Sequence, residues 1–246
     1  MGIRKIDTVL FDLDGTLRFS DPPSIDTFHR HAEVHGIQPD PDSQRAARRW
    51  VSAYWANSDE LLKDMEIFGN HPDNGAFWTN HARKHLMILG GSEGQAEQLA
   101  PEITRIMQEQ YDPVGVVAAD AFETLGKLQE DGYRLGVVSN RQKPIQDVIE
   151  ELDLQDFFEI ILAAGEVGWW KPDPRLLTYA AELMQTPPDA IAYVGDNFYA
   201  DVISAEGAGM RAVLVDPLGL FPEAKCTVIQ KLGELDGVLN TNDRIR

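Results

Sequence analysis

Beyond Pro113 the chain alternates regularly between short apolar runs and amphipathic segments, and no other feature of the sequence constrains the fold as tightly. The pattern predicts helix 122–129, strand 135–138, helix 145–152, strand 160–163, helix 174–184, strand 191–194, helix 200–208 and strand 212–215. Short apolar strands separated by helices need crossover connections, so they pair in parallel and are covered by helices on both faces. An earlier apolar run, 6–11, adds a strand that ends at once in Asp12-Leu13-Asp14-Gly15-Thr16-Leu17, where Gly15 permits a sharp turn. The expected core is an α/β doubly wound parallel sheet. In such sheets ligands bind beyond the carboxyl ends of the strands, which is where Asp12, Ser139 and Asp196 stand.

Between about 24 and 111 the pattern changes to longer polar and apolar segments rich in Ala, Glu, Gln, Arg and Leu. They are broken at Gly36-Ile37-Gln38-Pro39, Gly69-Asn70-His71-Pro72 and Gly90-Gly91-Ser92, which predicts an all-helical insert of four or five helices. The expected division is a core domain of 1–17 and 113–246 and a helical domain of 18–112, with a tail after Gly237 that frays or packs loosely.

Charge narrows the function classes. A formal net charge of -18 and a pI near 4.6 oppose non-specific binding to nucleic acid and to anionic membranes. No apolar run approaches the roughly 20 residues of a membrane span, and the first seven residues contain no secretory apolar region. Cys226 is the single cysteine, so neither an intrachain disulfide nor a cysteine metal site is expected. These points predict a cytoplasmic protein that handles a small molecule. An anionic metabolite is compatible with the net charge, because a bound divalent cation dominates the field in a cleft. No sequence feature sets the oligomeric state.

Asp12 and Asp14 lie two apart at a strand end, so their side chains share one side of an extended chain. A hard cation such as Mg²⁺ takes oxygen ligands from one or two carboxylates plus phosphate and water, and Asp196 offers another oxygen. An Asp-rich turn can also be nothing more than a helix cap or an Asx turn. Three separate strand ends delivering matching chemistry weigh against that alternative.

Asp12-Leu13-Asp14-Gly15-Thr16-Leu17, Val138-Ser139-Asn140, Lys171-Pro172-Asp173-Pro174 and Gly195-Asp196-Asn197-Phe198-Tyr199-Ala200-Asp201 resemble, in order and spacing, the four motifs of the haloacid dehalogenase (HAD) superfamily. The resemblance covers 6–14 and about 120–217 and implies a HAD-like Rossmannoid core with a helical cap between the first and second motifs. It implies a Mg²⁺-dependent phosphatase acting on a small phosphorylated metabolite through an aspartyl-phosphate on Asp12. Asp14 is then the general acid and base and lends the metal its backbone carbonyl. Ser139 and Asn140 hold phosphoryl oxygens, Lys171 is the charge clamp, Asp196 is a metal ligand with Asp12 and Asp14, and Asp201 supports Asp196 or Lys171.

Each implied role has a physical basis. A carboxylate can attack phosphorus only where positive charge offsets the repulsion between two anions. Asp173 and Pro174 read as an N-cap and first helical residue, which fixes the backbone beside Lys171. Ser139 and Asn140 could also be an ordinary turn, and Asp201 could merely complement a helix dipole. Trp169 and Trp170, just before Lys171, are bulkier than expected there and read as packing residues or as the rim of a leaving-group pocket.

In the insert, Arg45, Arg48 and Arg49 share a helix face near Trp50, Tyr54 and Trp55, and Phe77, Trp78, His81, Lys84 and His85 form a second cluster. Solvated charges and packed aromatics are the expected state of both, and Arg18 lies nearer the predicted cleft. A phosphomutase keeps the same metal constellation and is the alternative activity. A 2-haloacid dehalogenase needs neither Asp14 nor Asp196, and a non-catalytic binding module needs none of the motifs.

Overall fold

The structure is a computed structural model that describes residues 5–69 and 74–239; the tail beyond 239 and part of the break at 69–72 lie outside the described residues. The chain opens with β1 (Thr8–Phe11) and β2 (Arg18–Asp21) and continues through α1 (Ser24–Val34), α2 (Pro41–Trp55), α3 (Asp59–Phe68), α4 (Gly75–Ile88) and α5 (Glu93–Gln110). It then runs through β3 (Val114–Val117), α6 (Ala121–Glu130), β4 (Arg134–Ser139), α7 (Gln146–Glu151), β5 (Ile160–Ala163), α8 (Ala164–Val167) and α9 (Arg175–Leu183). β6 (Ile191–Gly195), α10 (Ile203–Gly207), β7 (Arg211–Val215), β8 (Thr227–Ile229) and α11 (Leu235–Leu239) complete it.

The chain falls into two compact units, Met1–Phe19 with Gly115–Arg246, and Ser20–Val114. Both crossings lie within β2 and β3, which pair as a two-stranded sheet. Neither strand was expected, since each is only four residues long and β2 alternates half-buried with exposed positions.

In the first unit six parallel strands lie in the order β5-β4-β1-β6-β7-β8. Every residue of β1 is buried, as expected of a strand covered on both faces. Side chains alternate between two cores: Val9, Phe11, Val137 and Val194 enter one, while Leu10, Val138 and Tyr193 enter the other. From β1 the winding runs outward through β4 to β5, then returns to β6 on β1's other side. That reversal is the topological switch point of a doubly wound sheet, and it opens a crevice at the carboxyl ends of β1, β4 and β6. Phe11 is in register with Val137 and Val194, so Asp12 emerges level with the ends of both neighbours.

The second unit is built from α1 to α5, and the starts of α2 to α5 carry their own side-chain caps. Asp40 accepts from Ser43 N–H with Pro41 as the first helical residue, Ser58 accepts from Leu61 N–H, and Ser92 and Gln95 form a capping box. Phe28, Ala47, Leu86, Leu89, Ala96 and Ile103 make one buried cluster. Tyr54, Leu61 and Phe77 make another, with Trp50, Trp55 and Trp78 packed against it. Thus the aromatics of both sequence clusters pack inside this unit, Arg48 pairs with Asp26, and Lys84 pairs with Asp64 at 2.7 Å and Glu60 at 2.8 Å. Among the described residues no helix is long and apolar enough to cross a membrane.

Candidate active site

The centre of the crevice is a buried ammonium. Lys171 is 1% exposed, and its Nζ donates to Asp12 Oδ1 at 2.6 Å, to Asp201 Oδ1 at 2.7 Å and to the Tyr193 hydroxyl at 2.7 Å. Tyr193 in turn donates its proton to the Val138 carbonyl at 3.0 Å, which orients its oxygen as an acceptor. Burial alone would discharge this lysine, but Asp12, Asp201 and Tyr193 outweigh it and hold Lys171 well above the ordinary lysine range.

The backbone of Lys171 is fixed by Asn140. Its side chain donates to Lys171 O at 2.8 Å and accepts from Lys171 N–H at 2.7 Å. The Asn140 amide group thus holds the backbone of the lysine from both sides. The following helix starts at Arg175, one residue later than expected, and Asp173 Oδ1 accepts the Arg175 N–H at 2.9 Å.

Asp12, Asp196 and Asp201 each bring a carboxylate oxygen within 4.8 Å of the others. Burial pushes Asp12 up to about 7 against the pull of Lys171, with Asp201 adding to the rise. Asp196 is pushed well above the carboxylate range by burial and then by Asp201 and Asp12. Two glycines make the crowding possible. Gly15 has φ +96°, and a Cβ there would lie 2.4 Å from Asp196 Oδ2; at Gly195 a Cβ would lie 2.3 Å from the Asp201 carboxyl. Asn197 opens the next turn, accepting from Tyr199 N–H and Ala200 N–H, and Asp201 Oδ2 accepts from Asn197 N–H at 2.9 Å.

Two buried carboxylates and a half-buried one against one ammonium fit a hard divalent cation, which would favour the charged form of each. Asp12 and Asp196 are both in this cluster. Asp201 is the third member, with one oxygen committed to Lys171. The Asp14 side chain is directed elsewhere: Arg141 Nε donates to its Oδ2 at 2.7 Å, Arg141 Nη2 to its Oδ1 at 2.8 Å, and Arg18 Nη1 to its Oδ1 at 3.0 Å. Ser139 is buried at the end of β4, and its Oγ accepts from Arg141 N–H at 3.3 Å.

Two residues of the site escaped sequence reasoning. Tyr193 carried a usable signal, since a phenol within an apolar strand needs a hydrogen-bond partner when buried. Arg141 carried none beyond its place next to Asn140. Trp169 packs on the core side of its loop, edge-on to Tyr179, with the Arg175 guanidinium 5.5 Å from its ring centre.

Comparison with known proteins places these residues in a wider group. The family model described as haloacid dehalogenase-like hydrolase matches residues 6–209. The bovine (Bos taurus) haloacid dehalogenase-like hydrolase domain-containing protein 3 is 28% identical over 89% of this chain and 85% of its own. Pyrophosphatase PpaX of Bacillus thuringiensis (strain Al Hakam) is 24% identical over 86% of this chain and 83% of its own. The crystal structure of a 2-haloacid dehalogenase from Pseudomonas syringae pv. Tomato DC3000 aligns with TM-score 0.53 and 25% identity, covering 95% of this chain and 98% of that one.

Proposed function

Because the chain belongs to the haloacid dehalogenase-like hydrolase family, we propose that it is a Mg²⁺-dependent phosphatase that hydrolyses a small phosphate monoester through an aspartyl-phosphate on Asp12. The observation that carries this reading is the cluster of Asp12, Asp196 and Asp201 around the Lys171 ammonium. Displacement of a halide at carbon by a carboxylate needs no second or third acid at the same spot. Attack on a phosphoryl anion needs concentrated positive charge, and a cation-binding acidic cluster provides for it. Similarity to a pyrophosphatase points the same way.

In this reaction Asp12 supplies the attacking oxygen, and its bond to Lys171 aims it and lowers the cost of keeping it ionised in a buried place. When bound, Mg²⁺ held by Asp12, Asp196 and the Asp14 backbone supplies charge that offsets the repulsion between nucleophile and phosphoryl group. Ser139 Oγ and the nearby backbone N–H groups bind phosphoryl oxygens. Asp14 gives a proton to the leaving oxygen and later takes one from the attacking water. For that it must turn away from Arg141 and Arg18, which hold its carboxylate in the structure.

A panel of sugar phosphates, nucleoside monophosphates and phosphorylated acids, assayed with and without Mg²⁺, tests the proposal. Phosphate release that a chelator abolishes and Mg²⁺ restores is the expected result. Full hydrolytic activity without any divalent ion, or halide release from 2-haloacids, would overturn it in favour of the dehalogenase reading.

A further inference from the structure

Arg18 and Arg141 lie beside the proposed proton donor, and the proposed reaction requires that they lose it as a partner. Arg141 Nε and Nη2 donate to the two oxygens of Asp14 at 2.7 and 2.8 Å, and Arg18 Nη1 donates to its Oδ1 at 3.0 Å. Two guanidiniums thus share one carboxylate, and among the described residues neither bonds to another acid. In a chain with 40 acidic residues against 22 lysines and arginines, this local excess of positive charge is out of keeping with the whole.

Backbone bonds fix where each side chain starts. Arg141 N–H donates to Ser139 Oγ at 3.3 Å, and its carbonyl accepts from Gly165 N–H at 3.0 Å. Arg18 N–H donates to Leu13 O at 2.8 Å, and its carbonyl accepts from Gly15 N–H at 2.7 Å, within the turn that follows Asp12. Gly115 leaves the space that the Arg18 guanidinium fills, since a Cβ there would lie 2.7 Å from its Nε. The side chains of Arg18, Arg141 and Asp14 are 20%, 32% and 39% exposed, so a molecule entering from solvent reaches them. Bonding to Asp14, opposed by burial and aided by the charges of Asp14 and Asp12, raises Arg141 above the ordinary guanidinium range. Its guanidinium therefore lies in the field of the nucleophile as well.

Asp14 shows what this pair accepts: a planar carboxylate, gripped by two N–H groups of one guanidinium and one of the other. When Asp14 turns toward the leaving oxygen, two like charges remain side by side without an anion between them. A carboxylate on the leaving group would take that place, so that substrate binding and the release of Asp14 become one event.

We infer that Arg18 and Arg141 form the leaving-group subsite, and that the substrate is the phosphate monoester of a hydroxy acid whose carboxylate replaces Asp14 on the two guanidiniums. Hydrolysis of such an ester consumes one water and gives the hydroxy acid and inorganic phosphate. The inference rests on the phosphatase reading, and the experiment separates the two.

The test compares phosphate esters of two-, three- and four-carbon hydroxy acids, each against its own neutral amide, with 4-nitrophenyl phosphate as a generic substrate and Mg²⁺ throughout. For the preferred chain length, wild type should show kcat/KM about ten- to a hundredfold higher for the acid than for the amide. Arg141→Met should bring that ratio to within about threefold of one, and Arg18→Met should lower it by less, since Arg18 gives one bond rather than two. Arg141→Lys keeps a charge but loses the fork, so its ratio should fall between those of wild type and Arg141→Met; it decides if the methionine variant fails to fold. Calorimetry with 4-phosphonobutanoate and 4-phosphonobutanamide, which cannot be hydrolysed, should show the same preference in wild type and its loss in the Arg141 variants. Amides hydrolysed as fast as acids, or a preference unchanged in the folded Arg141 variants, would overturn the inference and leave the phosphatase reading standing. Phosphate release from none of these esters, 4-nitrophenyl phosphate included, would overturn both.

Discussion

Lys171 carries more of the site than any other side chain, because two buried carboxylates and a buried phenol share its ammonium. Replacing it by Met leaves Asp12 and Asp201 as uncompensated buried charges, which costs about 3–5 kcal/mol. Urea unfolding of Lys171→Met should show a loss of that size together with loss of turnover. Tyr193→Phe is milder: it removes one neutral acceptor, so stability should fall by about 1 kcal/mol while kcat drops more than KM changes. Gly15→Ala should weaken Mg²⁺ binding, read by calorimetry, because its Cβ meets Asp196 at 2.4 Å in a backbone conformation that L side chains rarely adopt. At this scale the sequence was only partly legible. Asp12, Ser139, Lys171 and Asp196 are announced by their places after strands or before a helix. The bonds that hold them are not, since Asn140 reaches Lys171 across 31 residues and Arg141 reaches Asp14 across 127.

Among the elements, the helices of the insert were legible from the Gly- and Pro-containing breaks between them, four of the five also beginning with a polar cap, and five of the six core strands because each is an apolar run next to a helix. β2, β3 and β8 were not, since strands of three or four residues with polar or exposed positions carry no periodic signal. Packing between α1 and α4 has a consequence that no periodicity reveals. Burial, aided by the charge of Arg48, lowers His29 to about 4 from an ordinary 6.5. The unfolded chain therefore binds a proton that the folded chain refuses between these two values. Stability rises with pH across this window and is lost as pH falls from about 6.5 toward 4. After allowance for solvent screening the loss is on the order of 2 kcal/mol. Thermal melts from pH 7 to pH 4 should show the drop, and His29→Gln should reduce it, the share due to the likewise depressed His85 remaining. Ser92→Ala, which removes the capping box of α5, should cost about 1 kcal/mol at any pH in the same assay.

For the molecule as a whole, one topological fact organises the chemistry. The winding reverses at β1, so residues far apart in the chain arrive at one crevice: Asp12 after β1, Ser139 at the end of β4 and Asp196 after β6. Alternation of strands and helices is enough to read the doubly wound sheet from sequence, because parallel pairing forces crossovers. Which strands flank β1 is set by packing of the whole sheet and is not written in any local segment. The same convergence makes Asp12 the one residue on which the proposed chemistry stands. Rapid-quench mass spectrometry of the protein mixed with Mg²⁺ and an aryl phosphate tests this most directly. Asp14→Asn retains attack on a good leaving group but slows hydrolysis of the intermediate, by roughly 10² to 10⁴. In that variant the peptide containing Asp12 should carry one added phosphate, and the double variant Asp12→Asn, Asp14→Asn should carry none. Substrate turnover by wild type with no phosphate on that peptide in Asp14→Asn, or with phosphate on a different residue, would contradict the assignment of Asp12 as the nucleophile.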